Sequence, residues 1–258
     1  MKIKNILSLL LVVIFLYKVP IAYSLDSRQK LFEEALFLSS KGQFVLALDK
    51  WNKYLENFPN DAAALSNRGN IKLVNGDPKG SIQDQDDAIK MDPNELDPYI
   101  NRGIAKESLG LWIDAKDDYL YVISKDAKNF SALYNLGNVE GSLDNWKNAR
   151  DLFYKASLSN PGSAMARSSM ALVDYQLENF DQSEKELRKL IRKYPTFADA
   201  RAALTALQWS KGNFGEAESN WVAVIELDPR YAEEDWLLEV RRWPPAPVRD
   251  LMNFIALK

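Results

Sequence analysis

From Arg28 to Tyr231 one pattern of residue types returns every 34 residues, six times in succession and without a gap. The copies run 28–61, 62–95, 96–129, 130–163, 164–197 and 198–231. Position 20 of the pattern is small throughout (Ala47, Ser81, Ala115, Ala149, Ser183, Ala217), and so is position 8 (Ala35, Gly69, Gly103, Gly137, Ala171, Thr205). Small side chains at fixed offsets let two helices cross closely. Position 17 is an aromatic wedge (Phe44, Trp112, Trp146, Phe180, Phe214), replaced by Pro78 in the second copy. Position 24 is a large filler (Trp51, Tyr119, Phe153, Leu187, Trp221), replaced there by Gln85. Gly42, Gly76, Gly110 and Gly212 at position 15 mark left-handed helix ends. Proline at position 32 (Pro59, Pro93, Pro161, Pro195, Pro229, with Ala127 the exception) stops the second helix of each copy.

Each copy therefore reads as two antiparallel helices joined by a tight turn. One such pair cannot bury its own apolar face, so the copies must stack. The pattern resembles the tetratricopeptide repeat across residues 28–231 of the 258-residue chain. That resemblance implies an all-α fold: a right-handed α-solenoid of six helix-turn-helix units plus C-terminal capping helices. Arg68 and Arg102, at the usually apolar position 7, depart from it, as does Gln85. They predict looser packing in repeat 2.

Residues 232–258 read as a cap for the open end of the stack. Ala232–Arg241 is expected to be a helix with Trp236, Leu237 and Val240 on one face. Trp243-Pro244-Pro245-Ala246-Pro247 breaks it, and Val248, Leu251, Met252 and Ile255 recur at the spacing of a short amphipathic helix. The tail from Arg241 onward also resembles tails of tetratricopeptide proteins of cyanobacteria and plastids, which implies a thylakoid setting.

The first 24 residues have a different task. Lys2 and Lys4 precede an apolar run from Ile6 to Tyr17, and Ala22-Tyr23-Ser24 offers a small-x-small cleavage site. This is the layout of a secretory signal, cleaved after Ser24. The run is short of the roughly 20 residues that span a bilayer. An uncleaved anchor, with Lys18 snorkelling, is the alternative. The expected location is outside the cytosol, in a thylakoid lumen or a periplasm, with membrane anchoring as the other outcome.

Composition narrows the chemistry. The chain has no Cys and no His, so thiolate catalysis, Cys-held metals and the commonest general base are all excluded. The formal net charge of −3 argues against nucleic acid, whose phosphates call for a basic excess. No enzyme activity, cofactor or metal is expected. Asp84, Asp86 and Asp87 suggest calcium only superficially, because no loop Gly or distal Glu completes such a site. They read as a solvated helix face. The basic run Lys185, Arg188, Lys189, Arg192 and Lys193 could meet an anionic lipid surface or an acidic partner. Asp181, Glu184 and Glu186 lie at compensating helical offsets, favouring a solvated outer face.

In the family that the pattern resembles, the first helix of each pair lines a concave groove through positions 2, 5, 6, 9, 12 and 13. Those positions supply Ser66, Asn67 and Asn70 in repeat 2, Ile100, Asn101 and Glu107 in repeat 3, and Tyr134, Asn135 and Asn138 in repeat 4. Repeats 5 and 6 supply Tyr175 and Trp209. Five asparagines over three repeats form a ladder of groups that both donate and accept. Such a ladder can grip an extended peptide backbone. The competing reading is that they bridge neighbouring helices. The carboxylate clamp of chaperone-binding members is not expected, since its cationic positions carry Ser66, Ser131 and Asn135 here. The sequence thus predicts a non-enzymatic, exported scaffold that binds a protein segment and assists a membrane complex, a photosystem if the tail resemblance holds. The alternative is a bacterial envelope adaptor.

Overall fold

The computed structural model describes residues 25–257, so the signal or anchor segment lies outside the described residues. Among the described residues, twelve α-helices form six consecutive pairs. The first helices are α1 (Leu25–Ser40), α3 (Ala62–Val74), α5 (Asp97–Glu107), α7 (Phe130–Ser142), α9 (Ala164–Gln176) and α11 (Ala198–Ser210). The second helices are α2 (Phe44–Asn57), α4 (Pro78–Met91), α6 (Trp112–Lys125), α8 (Trp146–Ser159), α10 (Phe180–Lys193) and α12 (Phe214–Leu227). Among the described residues there is no strand, and no helix is long and apolar enough to cross a membrane.

Local chemistry sets the helix ends. Asp61, Asn129 and Ser163 cap α3, α7 and α9 by accepting a backbone N–H three residues on. The turn between paired helices needs a left-handed residue, supplied by Gly42, Gly76, Gly110 and Gly212 at φ between +70° and +83°. Asp144 (φ 59°) and Glu178 (φ 62°) take that place in repeats 4 and 5, at a cost of roughly 1–2 kcal/mol for a residue with a Cβ.

Packing within a pair follows from positions 8 and 24. A Cβ on Gly103 would lie 2.6 Å from the Tyr119 ring, and one on Gly137 would lie 2.7 Å from Phe153. Gly69 stands in the same relation to Gln85, at 2.7 Å from Nε2. The expected looseness of repeat 2 is therefore corrected: Gln85 is fully buried, and its amide donates to the Ser66 carbonyl (2.9 Å) and to Asn70 Oδ1 (3.2 Å). The arginines at position 7 have partners too. Arg68 and Lys72 converge on Asp84, and Arg102 and Lys106 converge on Asp118. Asp84 is thus buried, not part of a solvated face, while Asp86 pairs with Arg102 and Asp87 with Lys90.

The segment after α12 differs from the expected helix. A 3-10 turn (Pro229–Ala232) leads to one π-helical turn (Trp236–Val240) in which the Arg241 N–H bonds to the Trp236 carbonyl. Leu237 is fully buried, whereas Val240 is 65% exposed. The wider turn brings Arg241 and Trp243 onto one buried carboxylate, Asp199. A last helix, α13 (Pro245–Ile255), starts inside the proline-rich stretch and buries Val248, Leu251 and Phe254.

Candidate functional site

The first helices touch one another from repeat to repeat (α1–α3, α3–α5, α5–α7, α9–α11), while the second helices stand further apart. First helices therefore line the inner side of the stack. Along that side the character changes from one end to the other.

In repeats 2 and 3 the inner side is polar and open. Ser66, Asn67, Asn70 and Asn101 line a recess of about 270 Å³, with Asp92, Glu95 and Asp97 at its edge. Asn101 Nδ2 donates to Ser66 Oγ at 3.2 Å, bridging the two repeats, and Asn67 bonds back to the Ala63 carbonyl. Each amide still keeps an atom without an internal bond among the described residues: Oδ1 of Asn67 and Asn101, and Nδ2 of Asn70. Bridging and binding are thus compatible. In repeat 4, Asn135 and Asn138 are half-buried, and Asn138 lines a separate cleft of about 200 Å³. Tyr134 is half-buried between Phe130 and Phe153, its hydroxyl 3.3 Å from Ser169 Oγ. Burial pushes that phenol's pKa up.

Repeats 5 and 6 are covered. α13 lies on α9 and α11, so the inner side there is filled by the chain's own C terminus. This corrects the expectation for Tyr175 and Trp209. Tyr175 is 2% exposed and donates to Asp250 Oδ2 at 2.6 Å, and Trp209 packs on Phe254 with ring centroids 5.7 Å apart. Neither faces an open groove. Burial, and then the Asp250 carboxylate, raise the Tyr175 pKa.

Two buried carboxylates hold the C-terminal segment down. Asp199 is 1% exposed and accepts from Ser168, Tyr231, Arg241 and Trp243. Glu107, in repeat 3, accepts from Tyr119 and Arg242. The Ala246 N–H adds a bond to Gln176 Oε1 at 2.8 Å. Sequence reasoning missed this arrangement, but a signal was present. The two inner positions that carry amides in repeats 2–4 become Ser169 and Leu172 in repeat 5 and Ala203 and Ala206 in repeat 6. Small apolar residues facing inward need a cover, and the tail's apolar helix supplies it.

On the outer side, Arg188 bonds Glu184 and Glu216, and Lys189 lies 3.5 Å from Glu186. Lys185, Arg192 and Lys193 are exposed.

A stack of helix pairs with a polar inner groove defines the α-solenoid class of interaction proteins. Residues 169–232 match the tetratricopeptide-repeat model, and the chain is similar in fold to solved structures of tetratricopeptide-repeat proteins. One is MamA, at 25% identity and a TM-score of 0.56, covering 64% of this chain and 96% of that one. Another is a tetratricopeptide repeat protein from Parabacteroides merdae (20% identity, TM-score 0.66, 90% of this chain and 99% of that one). A third is YrrB, described as having an unusual peptide-binding site (19% identity, TM-score 0.55, 74% of this chain and 97% of that one). A comparison with curated proteins finds no match.

Proposed function

We propose that the chain is a non-enzymatic scaffold that holds an extended protein segment against repeats 2–4. Asn67, Asn70 and Asn101 grip its backbone in one recess, and Asn135 and Asn138 extend the contact. One observation carries this reading: three amides from two repeats converge on an open recess while each retains an unengaged polar atom. Backbone recognition by amides does not require a matching charge. The peptide-binding site ascribed to YrrB supports the use of this fold for such a task. The N-terminal pattern supports export, into a thylakoid lumen or a periplasm, with a membrane-complex subunit as partner. Assembly or maintenance of a photosystem is the finer reading, supported by the tail resemblance alone.

The test is co-purification from the native membrane fraction. Asn101→Ala combined with Asn135→Ala should leave the fold intact and weaken capture, each unsatisfied partner group costing about 1–3 kcal/mol. Arg192→Glu, on the exposed outer face, should leave capture unchanged. Capture that survives the double variant and fails with Arg192→Glu would move the working surface to the outer side.

A further inference from the structure

The C-terminal segment meets repeats 5 and 6 at many points and reaches repeat 3 through the side chain of Arg242. Arg242 extends to Glu107, whose carboxylate also receives the buried Tyr119 hydroxyl. Its guanidinium lies over the Trp112 ring, 5.0 Å from the centroid. Glu107 occupies position 12 of its repeat, the place of Tyr175 and Trp209 in the repeats under α13. The carboxylate therefore belongs to the inner, binding side.

Glu107 is 7% exposed, and burial pushes its pKa up against the opposing pull of Arg242 and Tyr119. A carboxylate so placed tolerates poorly the loss of its cation, since removing one partner of a buried pair leaves an uncompensated charge. Anything that displaces Arg242 has to bring a cation with it. The aromatic face of Trp112 and the orientation imposed by Tyr119 suit a planar guanidinium better than an ammonium. Arg242 is within reach of the groove: it lines the same cleft as Asn138, Gly141, Trp146 and Trp243. Arg242 itself sits at φ 54°, a left-handed conformation that costs a non-glycine residue energy. The intramolecular occupant is thereby made easier to displace.

We propose that Glu107, Tyr119 and Trp112 form an arginine-receiving site on the groove floor, filled by Arg242 in the free protein and by an arginine of the partner segment in the bound one. This rests on the groove being the binding side. It specifies that the partner carries an arginine, and that the C-terminal segment competes for its place.

The test uses the full chain and two blocked peptides, acetyl-Gly-Arg-Gly-amide and acetyl-Gly-Lys-Gly-amide, followed through the Trp112 indole N–H by NMR. Arg242→Ala should bind the arginine peptide about tenfold tighter than wild type, because the competing occupant is gone. The lysine peptide should bind Arg242→Ala more weakly, and adding Glu107→Gln should abolish the gain. Arg242→Lys keeps a cation on Glu107, and so the fold, and should show the same order with a smaller gap. Equal affinity of wild type, Arg242→Ala and Arg242→Lys would overturn the site, as would a gain that persists with Glu107→Gln. Either result would leave the outcome at Asn101 and Asn135 standing.

Discussion

Repeats 2–3 and repeats 5–6 have the same helical frame and opposite chemistry. In repeats 2 and 3, an Arg at position 7 and a Lys at position 11 grip an Asp at position 23, with Arg68–Asp84 at 2.7 Å and Arg102–Asp118 at 2.5 Å. In repeats 5 and 6 an apolar cluster is continuous with the cap, joining Leu187, Leu204 and Trp221 to Trp243, Leu251 and Phe254, and the buried Asp199 ties Arg241 and Trp243 to it. Buried ion pairs add little net stability compared with apolar packing. They let the first half stand with a polar inner side open to water. The second half is apolar on its inner side and has to be covered. Stability and availability are thus distributed to different ends of one solenoid.

The same deletion should therefore act differently in the two regions. Asp199→Ala leaves Ser168, Tyr231, Arg241 and Trp243 without their shared acceptor in a buried setting, and should cost about 3–5 kcal/mol in urea denaturation. Asp84→Ala orphans Arg68 and Lys72, whose side chains are about one-fifth exposed and can turn to water. Its cost should be smaller, about 1–3 kcal/mol. Equal costs would erase the contrast between the halves.

A finer probe is acid. Burial opposes charge on Glu140, but Lys116 at 2.7 Å, with Asn145 and Asn148, holds its carboxyl below the usual range. A depressed carboxylate contributes stability that is fully present above the unfolded value, about 4.3 for Glu, and is lost as pH falls through the folded one. Glu140→Gln should therefore be less stable than wild type at pH 7, and the gap between their denaturation midpoints should close below about pH 4. A gap that is constant with pH would mean that the Lys116 link between repeats 3 and 4 contributes no charge-dependent stability.

The solenoid was legible in the sequence because each spacing has a local steric cause that recurs. Gly103 under Tyr119 and Gly137 under Phe153 repeat the same contact 34 residues apart. Asp84 was harder to read. On its own helix it is one of three neighbouring acids, and only its 16-residue offset from Arg68, repeated by Asp118 and Arg102, reveals a buried pair. The C-terminal path was illegible for another reason. Tyr175 meets Asp250 across 75 residues, and Glu107 meets Arg242 across 135, so no periodicity within the repeats reports them. Tyr175 and Trp209 occupy inner repeat positions, and a repeat position carries no information about α13 lying on it. Asn67, Asn70 and Asn101 were readable because their neighbours in space are also neighbours in the repeat.

The division of the groove into an open half and a filled half is tested most directly by hydrogen exchange on the full chain. If α13 is an integral cover, its amides from Val248 to Ile255 should exchange slowly, within about tenfold of those in α11, because both open in one cooperative unit. Fast exchange throughout α13 with α11 still protected would contradict the account. It would return Tyr175 and Trp209 to the open groove.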